Sequence, residues 1–290
     1  MEYQEVKFKI DGDSTLANTA ADLLADMAAD CGFEAFTGDG QSLVGYAQTE
    51  MFDKEGLDNI IADFPLKGVI ITYDTEKAPD EDWNKQWEEN GFEPIEIGDK
   101  CIIYDAKRKA PGTHADDSRM PIYIEAKQAF GTGTHETTQM IVEQLTGMDL
   151  KGKCVLDCGC GTGILSIAAA KLGAEKVVAY DIDEWSVENT RHNAALNGVE
   201  EKIEVLHGNV NVLNHISGLY DIVLANINRN ILLADMGEFC KAMRHGTILI
   251  ISGFYAEDMP LLTEEAGKHE LCNIGHTSAN NWTCMTFVYK

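Results

Sequence analysis

The sequence predicts an α/β chain in two parts, a smaller α+β domain followed by a larger domain on a doubly wound, mostly parallel sheet. Three observations carry that expectation. From residue 120 onward, strand-like and helix-like segments alternate, the order that gives parallel pairing. A glycine-rich turn, GCGTG at 159–163, lies between an apolar strand and an apolar helix. The first 75 residues run β-α-β-β-α-β by themselves.

Taken in order, residues 3–10 alternate in period two, with Val6, Phe8 and Ile10 opposite Tyr3, Glu5, Lys7 and Lys9, as in a strand with one buried face. A helix follows, opened by Ser14 or Thr15 and expected to bury Leu16, Ala20, Leu23, Leu24 and Met27. Residues 32–36 and 42–47 read as short strands around the turn Thr37-Gly38-Asp39-Gly40. A second helix over 53–64 leads to a strand at 68–73. This order is ferredoxin-like, a small sheet with both helices on one face.

Residues 76–119 change character. A polar helix begins near Pro79, carries Trp83 and Trp87 on one face and stops at Gly91; the two tryptophans are expected in interdomain packing. A hairpin follows, 95–97 with 101–104 around Gly98-Asp99, and residues 107–112 are the linker candidate. The expected division is therefore 1–75, 76–119 and 120–290. In the last part, strands are expected at 122–125, 154–157, 176–181, 203–207, 220–226 and 247–252, with a final strand pair ending at Tyr289. Helices are expected at 139–145, 164–172, 184–197, from about 230 to 243, and at 257–268. Trp282, near the final pair, is expected in the core.

The turn at 159–163 points to a nucleotide-like ligand. Glycine supplies positive φ and lets a ligand approach the backbone without meeting a Cβ. The dinucleotide pattern G-x-G-x-x-G would need glycine where Ile164 stands, which weakens a nicotinamide reading. Asp181 ends the next strand, at the spacing from which an acid reaches both hydroxyls of a ribose. No GxxxxGK[ST] segment occurs, so a nucleoside triphosphate is disfavoured. Asp157, Asp181 and Asn226 all fall at carboxyl ends of predicted parallel strands, where ligands of such sheets sit. GxGxG between two acids resembles the class I S-adenosylmethionine-dependent methyltransferases.

Charge narrows the partners. With 23 basic and 48 acidic residues the net charge is −25, and residues 1–110 hold 25 acidic and 10 basic side chains, net −15. Such a surface disfavours nucleic acid backbones and anionic membranes and suits a basic partner. Eight cysteines without a CxxC pair read as reduced thiols of a cytosolic protein; a metal site from Cys154, Cys158 and Cys160 is disfavoured because strand and turn place them for packing. The N-terminus has no signal-peptide h-region, and no apolar run is long enough to span a membrane.

One further block is more specific than the turn. FGTGTHETT at 130–138, followed by GCGTG and preceded by Trp83, Trp87 and the acidic front domain, resembles the PrmA family, the ribosomal protein L11 methyltransferases, over essentially the whole chain. The resemblance implies trimethylation of lysine ε-amines and the N-terminal α-amine of a basic ribosomal protein. It also implies an N-terminal domain that holds the substrate and a C-terminal domain that holds S-adenosylmethionine. Carried over by position, it implies cofactor contacts from Thr138, Gly159, Asp181 and Asn226; Phe130, Thr137, Asp157, Gly161 and Gly163 complete the expected cofactor site. Because the amine must enter neutral and be oriented by an acceptor, Asn226 is expected nearest the transferring methyl. The segment Asn228-Arg229-Asn230 is more polar than the family pattern and leaves local substrate contacts open. His135 is expected to hydrogen-bond its own turn, with proton acceptor as its other reading. A methyltransferase for another protein or a small molecule, and a non-catalytic S-adenosylmethionine-binding module, are the rival functions.

Overall fold

The computed structural model describes residues 3–12, 14–28, 31–39, 42–49, 51–62, 64–66, 68–77, 91–108, 118–126, 131–215 and 218–290. The Trp83/Trp87 helix, Phe130, Gly40 and the stretch 109–112 of the linker candidate lie outside these residues. The chain divides into two compact units, 1–82 and 83–290.

In the first unit β1 (Tyr3–Asp11), β2 (Phe33–Asp39), β3 (Ser42–Gln48) and β4 (Ile70–Lys77) form one antiparallel sheet in the order β2-β3-β1-β4. With helices α1 (Ser14–Ala28) and α2 (Lys54–Ala62), this is the ferredoxin-like order expected from the sequence. Val6, Phe8 and Ile10 are buried, in one core with residues of α1 and Leu57 of α2. The buried stripe of α1 differs from the expected one. It consists of Ala17, Ala20, Ala21, Leu24 and Ala28, while Leu16 is 38% exposed and Leu23 and Met27 are half-buried. Small side chains occupy the face that meets Phe8 and Phe33, because those rings already fill the layer beneath the helix. The turn expected at 37–40 is also displaced, since β2 runs on through Asp39 and pairs with Ser42.

In the second unit β5 (Ile95–Ile97), β6 (Cys101–Asp105) and β7 (Met120–Ile124) form a three-stranded sheet. The main sheet has seven strands: β8 (Cys154–Cys158), β9 (Lys176–Asp181), β10 (Ile203–His207), β11 (Tyr220–Asn226), β12 (Met243–Tyr255), β13 (Leu271–Ala279) and β14 (Trp282–Tyr289). Their order is β10-β9-β8-β11-β12-β14-β13; only β14 runs antiparallel to its neighbours β12 and β13. Helices α3 (Glu136–Thr146), α4 (Ile164–Lys171), α5 (Glu184–Leu196), α6 (Arg229–Lys241) and α7 (Met259–Lys268) cover it.

Alternation along the strands splits the core in two. Val155, Val177, Ala179, Ile222, Leu224 and Ile250 pack with residues of α3, α4 and α5; Leu156, Val178, Val223, Leu249 and Ile251 pack with α6 and α7. Strand order reverses between β8 and β11, which makes the carboxyl ends of β9, β8, β11 and β12 the topological switch point where such folds bind ligands. No helix among the described residues is long and apolar enough to cross a membrane.

Candidate active site

Three polar side chains stand at neighbouring strand tips of the switch point. Asp157 is the last residue but one of β8, whereas Asp181 ends β9 and Asn226 ends β11, with Asn226 in register with Ser252 of β12. The turn 159–163 leaves β8 and starts α4. Its backbone is fastened to β9, because the N–H groups of Gly159 and Cys160 both donate to the Tyr180 carbonyl at 2.9 and 3.1 Å. Gly159 and Gly163 have φ of +76° and +82°. A Cβ on Gly163 would meet Thr190 Cγ2 at 2.7 Å, and one on Gly159 would run into the Ile227 side chain.

Asp181 receives two backbone N–H groups. Gly161 donates to Oδ2 at 2.9 Å and Asp183 donates to Oδ1 at 3.0 Å. Each carboxylate oxygen retains a lone pair, so the group is held in place and still able to accept from a vicinal diol. Just beyond it Ile182 stands 65% exposed, its carbonyl 3.0 Å from His207 Nε2. Sequence reasoning missed Ile182, although an apolar residue immediately after a strand-ending acid was a visible signal.

Asp157 lies beneath the turn with no exposed surface. Its Oδ2 accepts from Ser166 Oγ at 2.6 Å, and its Oδ1 has no hydrogen-bond partner. Burial first, and the Asp181 charge in addition, push its carboxyl up to about 6. Cys158 and Cys160 are buried beside it, and burial pushes both thiols above their ordinary value. Among the described residues no three His, Cys, Asp or Glu side chains are grouped as metal ligands.

The 131–138 block joins this site from the side. The Thr162 hydroxyl donates to the Gly131 carbonyl. The N-cap of α3 is His135: its Nδ1 accepts from the Thr137 N–H at 3.3 Å and lies 2.8 Å from Thr137 Oγ1. His135 thus hydrogen-bonds its own turn, as expected from the sequence. One helical turn on, Asn226 Nδ2 donates to Thr138 Oγ1 at 3.2 Å, so the block and the β11 tip meet. Thr137 and Thr138 are both buried, Thr137 on the cap and Thr138 on Asn226.

Trp282, expected in the core, packs against it partly buried, at the tip of β14. It lies between His135, with ring centroids 4.7 Å apart, and Tyr255, at 4.3 Å. Tyr255 is 45% exposed. The polar segment after Asn226 serves this wall. Asn228 caps α6 by accepting from the Asn230 N–H at 2.8 Å, and Arg229 Nη1 donates to Asp258 Oδ1 at 2.8 Å. Asp258 Oδ2 in turn accepts the Tyr255 N–H at 3.0 Å, so Arg229 fastens the corner that carries Tyr255. Sequence patterning could not pair Arg229 with a carboxylate 29 residues on.

The family model for ribosomal protein L11 methyltransferase (PrmA) matches residues 13–290. The ribosomal protein L11 methyltransferase of Phocaeicola vulgatus is 40% identical over 291 residues, covering 100% of both chains. That of Porphyromonas gingivalis is 43% identical over 278 residues, covering 95% of this chain and 93% of the relative. Among solved structures, the ribosomal protein L11 methylase of Lactobacillus delbrueckii subsp. bulgaricus superposes with a TM-score of 0.62 at 27% identity, covering 69% of this chain and 100% of that one. The chain belongs to the PrmA family, the ribosomal protein L11 methyltransferases, and is a methyltransferase that uses S-adenosylmethionine.

Proposed function

We propose that this chain methylates lysine ε-amino groups and the N-terminal α-amino group of ribosomal protein L11. The observation that carries the catalytic part is the Asn226–Thr138 hydrogen bond at the strand tip beside the glycine turn. The donor set fits S-adenosylmethionine. Asp181 suits a ribose diol and would repel a phosphate, and the exposed Ile182 offers an apolar face to a base. Asp157 Oδ1 is a buried acceptor without a donor, beneath a site that would receive a cationic ligand. We assign Asp181 to the ribose, and Gly159, Gly161, Gly163, Thr138 and Asn226 to the rest of the cofactor. Thr137 acts through the cap, Asp157 through its charge beneath the turn, and Phe130 by its place in the family block.

When bound, the cofactor supplies a methyl group activated by its sulfonium. The protein's task is to present an amine lone pair in line with that methyl. A free lysine, with a pKa of about 10.4, is almost wholly protonated near neutrality and must enter as the neutral amine. Because the Asn226 amide nitrogen is committed to Thr138, its Oδ1 remains to accept an amine N–H and orient the lone pair. Tyr255 and Trp282 form an aromatic wall at the same end of the sheet, suited to the lysine stem and to methylated ammonium products. We assign recognition of the basic substrate to residues 1–75, within a 110-residue stretch of net charge −15. The 120–290 part is assigned to catalysis, and the cytoplasm to the enzyme's place of action.

Incubation with L11, S-adenosylmethionine and enzyme, followed by mass spectrometry of the digested substrate, tests this function. Methyl additions on lysines and the N-terminus are expected, and they should disappear with Asn226→Ala. An unmodified L11 alongside methylation of other proteins in a ribosomal pool would reject the substrate assignment.

A further inference from the structure

Helix α5 and its C-cap carry asparagines at four-residue intervals, Asn189, Asn193 and the cap Asn197, which places them on one face. Their side-chain amides bond to the main chain of β7 and Glu125. Asn197 Oδ1 accepts from the Tyr123 N–H at 3.0 Å and its Nδ2 donates to the Tyr123 carbonyl at 2.7 Å. Two residues on, Asn193 Oδ1 accepts from the Glu125 N–H at 3.0 Å and Asn189 Nδ2 donates to the Glu125 carbonyl at 2.9 Å. The opposite edge of β7 pairs with β6, so the ladder takes the place of a neighbouring strand and satisfies backbone groups that burial would leave orphaned.

Asn193 does something the other two do not. Fully buried, it also donates from Nδ2 to the Thr162 carbonyl at 2.9 Å, inside the glycine turn. Its neighbour on the helix, Thr190, donates from Oγ1 to the Gly161 carbonyl at 2.8 Å. The peptide planes on both sides of Thr162 are therefore fixed by α5, while the Thr162 hydroxyl holds Gly131. We infer that Asn193 is a positioning residue for the methyl-donor site: it registers the glycine turn against β7 and so preorganises the turn that receives the cofactor. The inference rests on the assignment of that turn to the cofactor. Preorganisation acts on affinity by removing the ordering cost of binding, without a contact to the ligand.

The test uses the full chain and compares Asn193→Ala with Asn197→Ala. Both delete side-chain bonds to the backbone of β7 or of Glu125 just after it, but only the first touches the turn. Calorimetry with S-adenosylhomocysteine and steady-state kinetics with L11 are expected to give Asn193→Ala a cofactor Kd and KM raised about three- to tenfold, from one lost hydrogen bond. Its kcat at saturating cofactor and its KM for L11 should be unchanged. Asn197→Ala should lose stability in urea yet bind cofactor as the wild type does. Equal loss of affinity in both variants, or none in Asn193→Ala, overturns the inference. Should Asn193→Ala not fold, the wild-type chain decides: during a titration with S-adenosylhomocysteine the side-chain amide resonances of Asn193 should shift while those of Asn197 stay, and an unmoved Asn193 signal would refute the proposal. Asp181→Ala separates the two levels. If it binds cofactor normally, the site assignment itself is wrong; if it alone loses affinity, only the role of Asn193 is.

Discussion

Replacing Asp157 by Asn should stabilise the cofactor-free protein at neutral pH and weaken it as an enzyme. The carboxyl is fully buried, with Oδ1 unpartnered, and its pKa rises from 3.8 to about 6, chiefly through burial. Because the folded value lies above the unfolded one, the native chain keeps a proton that the unfolded chain has released over that interval. The stability this group contributes is full below about pH 4 and falls as pH rises through about 6, then levels off. At about 1.4 kcal/mol per pKa unit, the total is about 3 kcal/mol, of which about 2 is lost between roughly pH 4.5 and 7.5. Asn has no such titration. Urea unfolding of both proteins across that range should show the difference in stability moving by about 2 kcal/mol toward Asp157→Asn as pH rises. Trp185 and Trp282 lie in the unit that carries Asp157, so their fluorescence reports on the relevant transition. Adding S-adenosylmethionine should close the gap, since a cationic ligand repays the buried charge. A stability difference that does not change with pH would refute the reasoning.

Three other outcomes follow from the same geometry. Asp181→Ala removes charge-assisted acceptors for a ribose diol, and calorimetry should find cofactor affinity reduced about tenfold or more; equal affinity would remove Asp181 from the ribose. Asn226→Ala should lower kcat much more than cofactor affinity in steady-state and binding measurements, because the amide orients the amine; unchanged turnover would leave Asn226 as a strand cap. Tyr255→Ala should raise the KM for L11 several-fold, with cofactor KM unchanged and little loss of stability, because the residue is 45% exposed; an unaltered KM would place substrate recognition elsewhere.

How much of this was legible depended on whether the signal was local. The strands of the second unit and the turn between Cys158 and Ile164 follow from apolar period and glycine spacing, which place Asp181 and Asn226 at strand tips and Asp157 one residue short of its own. The first helix was misjudged by its face, because the large residues Leu16, Leu23 and Met27 look like a stripe while alanines meet the sheet. Trp282 packs against the core as expected, and what no local pattern shows is that the β12–β14 register also sets it at the strand tip beside Tyr255. The asparagine ladder was invisible for a different reason. Asn193 and Asn197 look like ordinary polar helix residues, and their partners lie 68 and 74 positions away. Arg229 likewise acquires meaning only through Asp258.

A crystal structure with S-adenosylhomocysteine bears most directly on the central claim. The expected complex has both ribose hydroxyls on Asp181, the amino acid portion over the 159–163 turn, and the sulfur turned toward Asn226 Oδ1 with room between them for a substrate amine. The same ligand bound away from these strand tips, or with its ribose turned from Asp181, would contradict it.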